Sequence, residues 1–571
     1  MEWGPDRWRL YRLALREASF GIRAAVAHLR RPRRSAPLPQ RLLFAPQDLR
    51  TADPTIAADI YAGYFVFAGR ALSTGGRSPF AFPPPSPAWG EALAGFGWLR
   101  HLRAADTALA RANARALVDE FITRRPGDRK LAGRTHVVAR RLLSFLCQSP
   151  LMLEGADHAF YDRFLRAVAL AVGQLERDVQ GPVLPLRRLL AAVALCYAGL
   201  CCEGYEATLR RGTRLLVREL ERQILPDGGH VSRSPKVLTE LLLDLLPLRQ
   251  IYLTRGVEPP EALLRAIDRM LPMVRLFRHG DGALSHFNGM GVTAADHLAT
   301  LLIYDAARAQ PMRHAPHSGY ERLEAGPILL VADVGPPPPV TQSSEAGAGC
   351  LSFELSSGRE RIVVNCGAPR SVDPALALAA RATAAHSTAG VADASSCRFV
   401  VPRGWWLDRT IAGWLQRRLG PTILSGPRDT AAERREGPDG ITLAARNDGY
   451  AARFGLVHER RWRLAPDGTR LEGEDRFFLT DGADPAVTVR FHLATGVRAS
   501  RVEEGAILLT LRSGETWRFE ASRPDGEAAD PRLDESVFFA AADGARRTEQ
   551  IVVEAQARAM PALHWRFVRQ G

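Results

Sequence analysis

Residues 226–235, PDGGHVSRSP, hold His230, Ser232 and Arg233 between two stretches with helical spacing. An imidazole at such a corner can carry a proton, because its ordinary pKa lies near neutrality. A guanidinium three residues on can grip a carboxylate through paired hydrogen bonds. The same residues also have structural uses. The histidine can be a hydrogen-bonded corner that caps the next helix, and the arginine half of a surface ion pair. FGWLRHLRA places Trp98, Arg100, His101 and Arg103 on one early helix, and Arg140 and Arg141 head another. On a concave face these would form a groove for a polyanion. On a convex one they are solvated helix faces around a buried tryptophan. Trp405 and Trp406 in RGWWLDR suit stacking on a sugar, or a core or edge position.

The elements that must position these groups change character once along the chain. From about 100 to 310 the apolar residues recur at helical spacing, as in 136–153, 186–202, 208–225, 235–253 and 260–277. Short Gly-, Pro- and Asp-containing connections join them, which predicts antiparallel helical hairpins without a fixed-period repeat. From 318 the segments alternate apolar with polar and are joined by Ser-Gly and Asp-Gly turns, the pattern of an antiparallel sandwich. The expected organisation is a basic helix and Pro-rich arm over 1–60, a helical domain over 61–317, and a β-sandwich over 318–571.

The chain has 571 residues, a net charge of +14, 46% hydrophobic and 24% charged residues, an ordinary globular balance. Residues 1–50 carry 11 Arg against 4 acidic residues. They open with a basic amphipathic helix containing Trp8, Leu13, Phe20 and Val26. It predicts either contact with an anionic membrane surface or docking on the protein's own body. No secretory leader is legible and no run reaches the ~18 apolar residues of a membrane span. The 7 Cys have no CxxC spacing, so neither a zinc ribbon nor a disulfide framework is expected. The arginines favour carboxylate, phosphate or sulfate partners. Nothing in the motifs points to nucleic acid.

Helical hairpins followed by a sandwich, with ILPDGGHVSRSP, RHGDGALSHFNG (278–289), SGYERLEAG (318–326), GCLSFELSSG (349–358) and RATAAHSTAGVAD (381–393) in that order, resemble the heparinase II/III family of polysaccharide lyases. The resemblance implies an (α/α) toroid joined to an antiparallel β-sandwich. It implies β-elimination on an acidic, uronate-bearing glycan in a bacterial envelope or periplasm, with a cytoplasmic location as the alternative. Elimination needs positive charge or hydrogen bonds on the uronate carboxylate, a base, and an acid for the leaving oxygen. By resemblance His230 is the catalytic histidine and Arg233 the carboxylate partner. His286 stands where the family has a tyrosine, and Asn288 and His386 join Trp98, Arg100, Arg140 and Arg141 as substrate-binding residues. Tyr252, Tyr304 and Tyr320 are the other tyrosines within reach of that role. The family's zinc ligands are replaced by Glu345, Gly347, Gly349 and Asn365, with His386 alone remaining, so no metal and no cofactor are expected. Two alternatives stay open. One is a non-catalytic protein that binds acidic glycan during envelope assembly. The other is a glycoside hydrolase using a carboxylate pair from Asp227, Glu240, Asp244 and Asp281.

Overall fold

The computed structural model describes residues 6–29, 36–124, 128–304, 310–370, 373–480, 482–502 and 505–570. Helices run from Thr55 to Ile303 and pack as hairpins into a toroid, broken by a short β-hairpin, Tyr64–Phe67 with Arg70–Ser73. The helix Pro185–Cys201 is apolar nearly all round and buried along most of its length, which makes it the inner post of this domain. The helix Glu206–Gln223 packs against it, where Gly212 lies against Cys196. A Cβ there would come within 3.1 Å of the Cys196 backbone nitrogen.

From His314 onward the strands form a separate two-stranded sheet, Arg398–Phe399 with Ile423–Ser425, and two large antiparallel ones. One has eight strands, from Ala432–Gly437 at one edge to Arg498–Arg501 at the other; the second has nine. The strand Ile328–Asp333 shows how the two domains share a core. Successive side chains of a strand point to opposite faces. Accordingly Leu329 and Val331 join the helical core, while Ile328, Leu330 and Ala332 join the sandwich core.

Two features bear on function. The first is how the N-terminal helix sits, which follows the docked alternative of the sequence reading. The helix Arg7–Leu29 docks on a helix of the sandwich half, Trp406–Leu419, through Leu10, Leu13, Ala412 and Leu415. Arg7 and Tyr11 both bond Asp408, and Glu17 pairs with Arg418. The extended residues after Ala36 then bridge to the end of the inner post, with Leu42 paired to Cys202 and Leu43 N–H donating to Cys201 O.

The second feature is a repeated corner. Leu225 N–H donates to Gly229 O, Gly228 N–H to Leu225 O, and Val231 N–H to Gln223 O. The same three bonds recur as His279 to Ala283, Gly282 to His279, and Ser285 to Phe277. Gly228 and Gly282 both adopt φ +87°, a conformation that favours glycine. Asp227 and Asp281 accept the N–H two residues on. Little more than Asp-Gly is common to the two sequences, so periodicity alone does not reveal the repeat.

Candidate functional site

The first corner is closed. His230 is 1% exposed. Its Nδ1 accepts from Ser232 N–H at 3.0 Å and lies 2.7 Å from Ser232 Oγ. An accepting Nδ1 leaves the proton on Nε2, which faces Gln223 Oε1 at 3.1 Å. Burial pulls its pKa down to about 3. Both ring nitrogens are therefore bonded within the protein, at the corner itself.

Arg233, at φ +57°, turns its whole guanidinium into the domain seam. It donates to Ser318 O, Gly319 O, Gly335 O and Pro336 O and pairs with Asp333, with Tyr320 against its face at 4.7 Å. A Cβ on Gly335 would sit 2.7 Å from Arg233 Nη2, so glycine is needed for that approach. Arg233 is a strut between domains rather than a carboxylate receptor.

The second corner is sealed in the same way. His286 is 5% exposed and its Nδ1 lies 3.1 Å from Glu354 Oε1. Glu354, fully buried on the strand Phe353–Ser357, also accepts the N–H groups of His286 and Asn365, and Arg361 donates to its other oxygen. His279 stands 3.5 Å from that second oxygen. Burial alone would raise the Glu354 pKa, but His286 and Arg361 hold it down to about 2. Asn288 donates to Tyr320 Oη at 2.6 Å and to Asp333 at 3.3 Å, and accepts Gly347 N–H. Like Arg233, these residues tie the domains together.

A folded-state pKa below the unfolded one stabilises above the unfolded value and loses that contribution as pH falls through the folded one. For Glu354 that window runs from the ordinary 4.5 down to about 2. Glu354→Gln is expected to be less stable than the parent at neutral pH and to flatten the acid limb in chemical-denaturation curves. An acid limb of unchanged slope would exclude Glu354 as its source.

His386 remains from the resemblance's metal set. Its Nδ1 bonds Ala382 O at 2.8 Å, and the rest of the ring lies against Gly347 and Gly349. A Cβ on Gly349 would be 2.4 Å from its Cδ2. The imidazole thus fills the space beside the two positions where ligands would be needed, and the site does not fit zinc. Among the described residues no group of three or more His, Cys, Asp or Glu could hold a metal ion.

The open chemistry lies elsewhere, in a cleft of about 420 Å³ inside the toroid. It adjoins a second chamber of about 570 Å³ toward the sandwich, and Ala68 and Glu240 line both. Arg140 grips Asp244 with one Nη, 2.8 and 2.7 Å from the two carboxylate oxygens. Arg50, delivered by the N-terminal segment, bonds Asp244 at 2.8 Å and Glu240 at 2.9 Å. Burial would raise the Glu240 pKa, but Arg50 and Arg140 bring it down to about 2. Arg100 lines the same cleft and donates to two carbonyls, Thr51 O and Gly97 O. His101 accepts Asp53 N–H at Nδ1, and burial beside Arg100 takes its pKa to about 4. His297 and Lys236 line the outer chamber.

Of the groove residues read from the sequence, Arg100 and Arg140 therefore reach the cleft with open or ion-paired heads. Trp98 touches it only as a core residue, 3% exposed with its indole N–H on Leu93 O. Arg141 turns away, lies over Phe121 and donates to Ala94 O and Ala132 O. Tyr252 and Tyr320 are buried on Thr213 and the Arg233 carbonyl. Tyr304 reaches the cleft-lining Gln47 at 3.5 Å. The sequence reading missed Arg50 and His297. Arg50 is brought in by an extended segment that has no periodicity to mark it.

Residues 307–566 match the family described as Heparinase II/III-like, C-terminal. FtsZ-localized protein C of Caulobacter vibrioides (strain NA1000 / CB15N) is 31% identical over 542 residues, covering 91% of this chain and 89% of that protein. The chain belongs to the heparinase II/III family. Its fold follows that of heparinase III, with a TM-score of 0.71 at 12% identity over 99% of this chain and 92% of the other. It also follows a mutant of the heparan sulfate lyase HepC from Pedobacter heparinus, at 0.60 and 15% over 97% and 88%. It is thus a polysaccharide-lyase-like toroid and sandwich.

Proposed function

We propose that this chain is a non-eliminating member of its family, which binds an acidic glycan in the toroid cleft as part of envelope assembly. One observation carries the reading: the three histidines at lyase-like positions, His230, His286 and His386, are all buried and bonded within the protein. Proton transfer needs a group within hydrogen-bond reach of the substrate. Arg100, whose described hydrogen bonds go to carbonyls, is the cleft cation available to an anion. The hydrolase alternative is disfavoured because Glu240 and Asp244 are ion-paired, and an acid catalyst needs a raised pKa. The expected result with a panel of uronate polysaccharides is measurable binding, weakened in Arg100→Ala, and no rise in 232 nm absorbance, which would report an unsaturated product. A rise on any substrate restores the lyase reading; no binding to any removes the glycan.

The N-terminal helix favours a membrane surface as the place of action. One face docks on the protein; the opposite face carries Trp8, Leu15, Ile22 and Val26 outward, beside Arg9, Arg12, Arg16 and Arg23. An apolar stripe flanked by arginines suits anionic lipid. Among the described residues no helix is long and apolar enough to cross a membrane. The relative's name couples that protein to FtsZ; the matching expectation for this chain is co-sedimentation with FtsZ filaments.

A further inference from the structure

The helix Trp406–Leu419 begins with two neighbouring tryptophans that the cleft does not use. Trp405 is 56% and Trp406 62% exposed, and their rings meet edge to face at 5.3 Å. Large aromatic surface left in water marks an interaction site more often than chance. Two residues on, Asp408 is buried and accepts from Arg7 and from Tyr11 Oη, and the Tyr11 ring meets Trp8 edge to face at 6.3 Å. Asp408 and Tyr11 thus fix Trp8, 76% exposed, and the tryptophan pair at one end of the same two-helix unit. The edge-to-face pair offers no flat platform of the kind a sugar ring stacks on, and neither ring lines the toroid cleft.

We propose that Trp405 and Trp406 are a second lipid-inserting element, which joins the outward stripe of the N-terminal helix in one docking face for an anionic bilayer. The inference rests on the membrane reading above and extends it to the sandwich half of the molecule. Tryptophan is the side chain that favours the boundary between headgroups and hydrocarbon, having an apolar body and a polar N–H. The neighbouring charge fits: Arg409 is exposed beyond the pair, and the exposed charges of the N-terminal helix are arginines, Glu17 being buried against Arg418. A second copy of the chain is a poorer occupant, since it would set these arginines against their own kind. Two anchors on different helices also determine orientation. A lone amphipathic helix can roll about its axis, whereas a helix together with a tryptophan pair on its partner helix holds the body at one tilt.

The test uses the full chain with phosphatidylglycerol-containing vesicles and pure phosphatidylcholine vesicles. The parent is expected to sediment with the former. Trp405→Ser/Trp406→Ser should bind at least about 10-fold more weakly with an unchanged thermal midpoint, and Leu15→Ser/Ile22→Ser should also weaken. Brominated lipids should quench the parent's tryptophan fluorescence, and less so the double tryptophan variant's. A parent that binds, with a folded tryptophan variant binding equally well, overturns the inference and leaves the helix reading intact. A parent that does not bind overturns both. Should the variant misfold, equal quenching by shallow and deep bromines or none at all in the parent overturns the insertion itself.

Discussion

Asp475→Ala will cost the protein about 3–5 kcal/mol, the range for breaking a buried ion pair by removing one partner. Asp475 lies in the sandwich core with no exposed surface. One oxygen accepts from Arg460 Nε at 2.6 Å and faces His458 Nε2 at 2.6 Å; the other accepts from Arg460 Nη2 at 3.0 Å and Trp565 Nε1 at 2.8 Å. Burial pushes the Asp475 carboxyl up, and Arg460 and His458 more than reverse it, holding it well below the carboxylate range. Arg460 also donates to Leu351 O and Ser387 O and sits among Phe353, Trp462, Phe491 and Trp565. Without Asp475 the guanidinium remains charged in an aromatic box with water excluded. The expected observation is a large fall in denaturation midpoint, with Asp475→Asn intermediate because the amide keeps the shape and one acceptor. Equal midpoints for parent and alanine variant would mean that the box admits water.

Arg233→Ala is the second large effect, also about 3–5 kcal/mol, and it acts between domains. It removes donors to four carbonyls and leaves Asp333 buried with Asn288 and the Gly335 N–H. Burial already raises the Asp333 pKa against Arg233's pull, so the variant's carboxyl should take up a proton nearer neutrality. The two domains should then lose their coincident unfolding, visible as separated transitions by calorimetry. Arg233→Lys should not rescue, because an ammonium cannot fan out to four carbonyls and a carboxylate. A single transition at the parent's temperature would show that the seam holds without it.

The fold was largely legible because its signals are local. Helical spacing through 277 and alternation after 318 give the two halves, and the ordered motifs point to the family. The site was less legible, for a physical reason. His230, Arg233, His286 and Asn288 have the residue types of a catalytic centre, yet the same hydrogen-bonding capacity makes them good joints between a helical corner and a sheet. Sequence gives the capacity and not the partner; Gln223, Asp333 and Glu354 decide the outcome. Arg50 shows the converse. It lies among prolines and polar residues with nothing to distinguish it, and chain geometry alone carries it to Glu240 and Asp244.

The paired corners also say how the molecule can move. Asp227 holds Ser318 through its N–H and hydroxyl, and Asp281 holds Arg361, so each turn aspartate pins the sandwich to the toroid at its own point. A body pinned once can swivel freely; pinned twice, it keeps only a hinge about the line through the pins. The N-terminal helix adds a contact to the sandwich at Asp408, and the residues after Ala36 add theirs to the toroid at Cys201 and Glu203. Together with the two pins, these contacts restrain how the sandwich can turn against the toroid that holds the cleft.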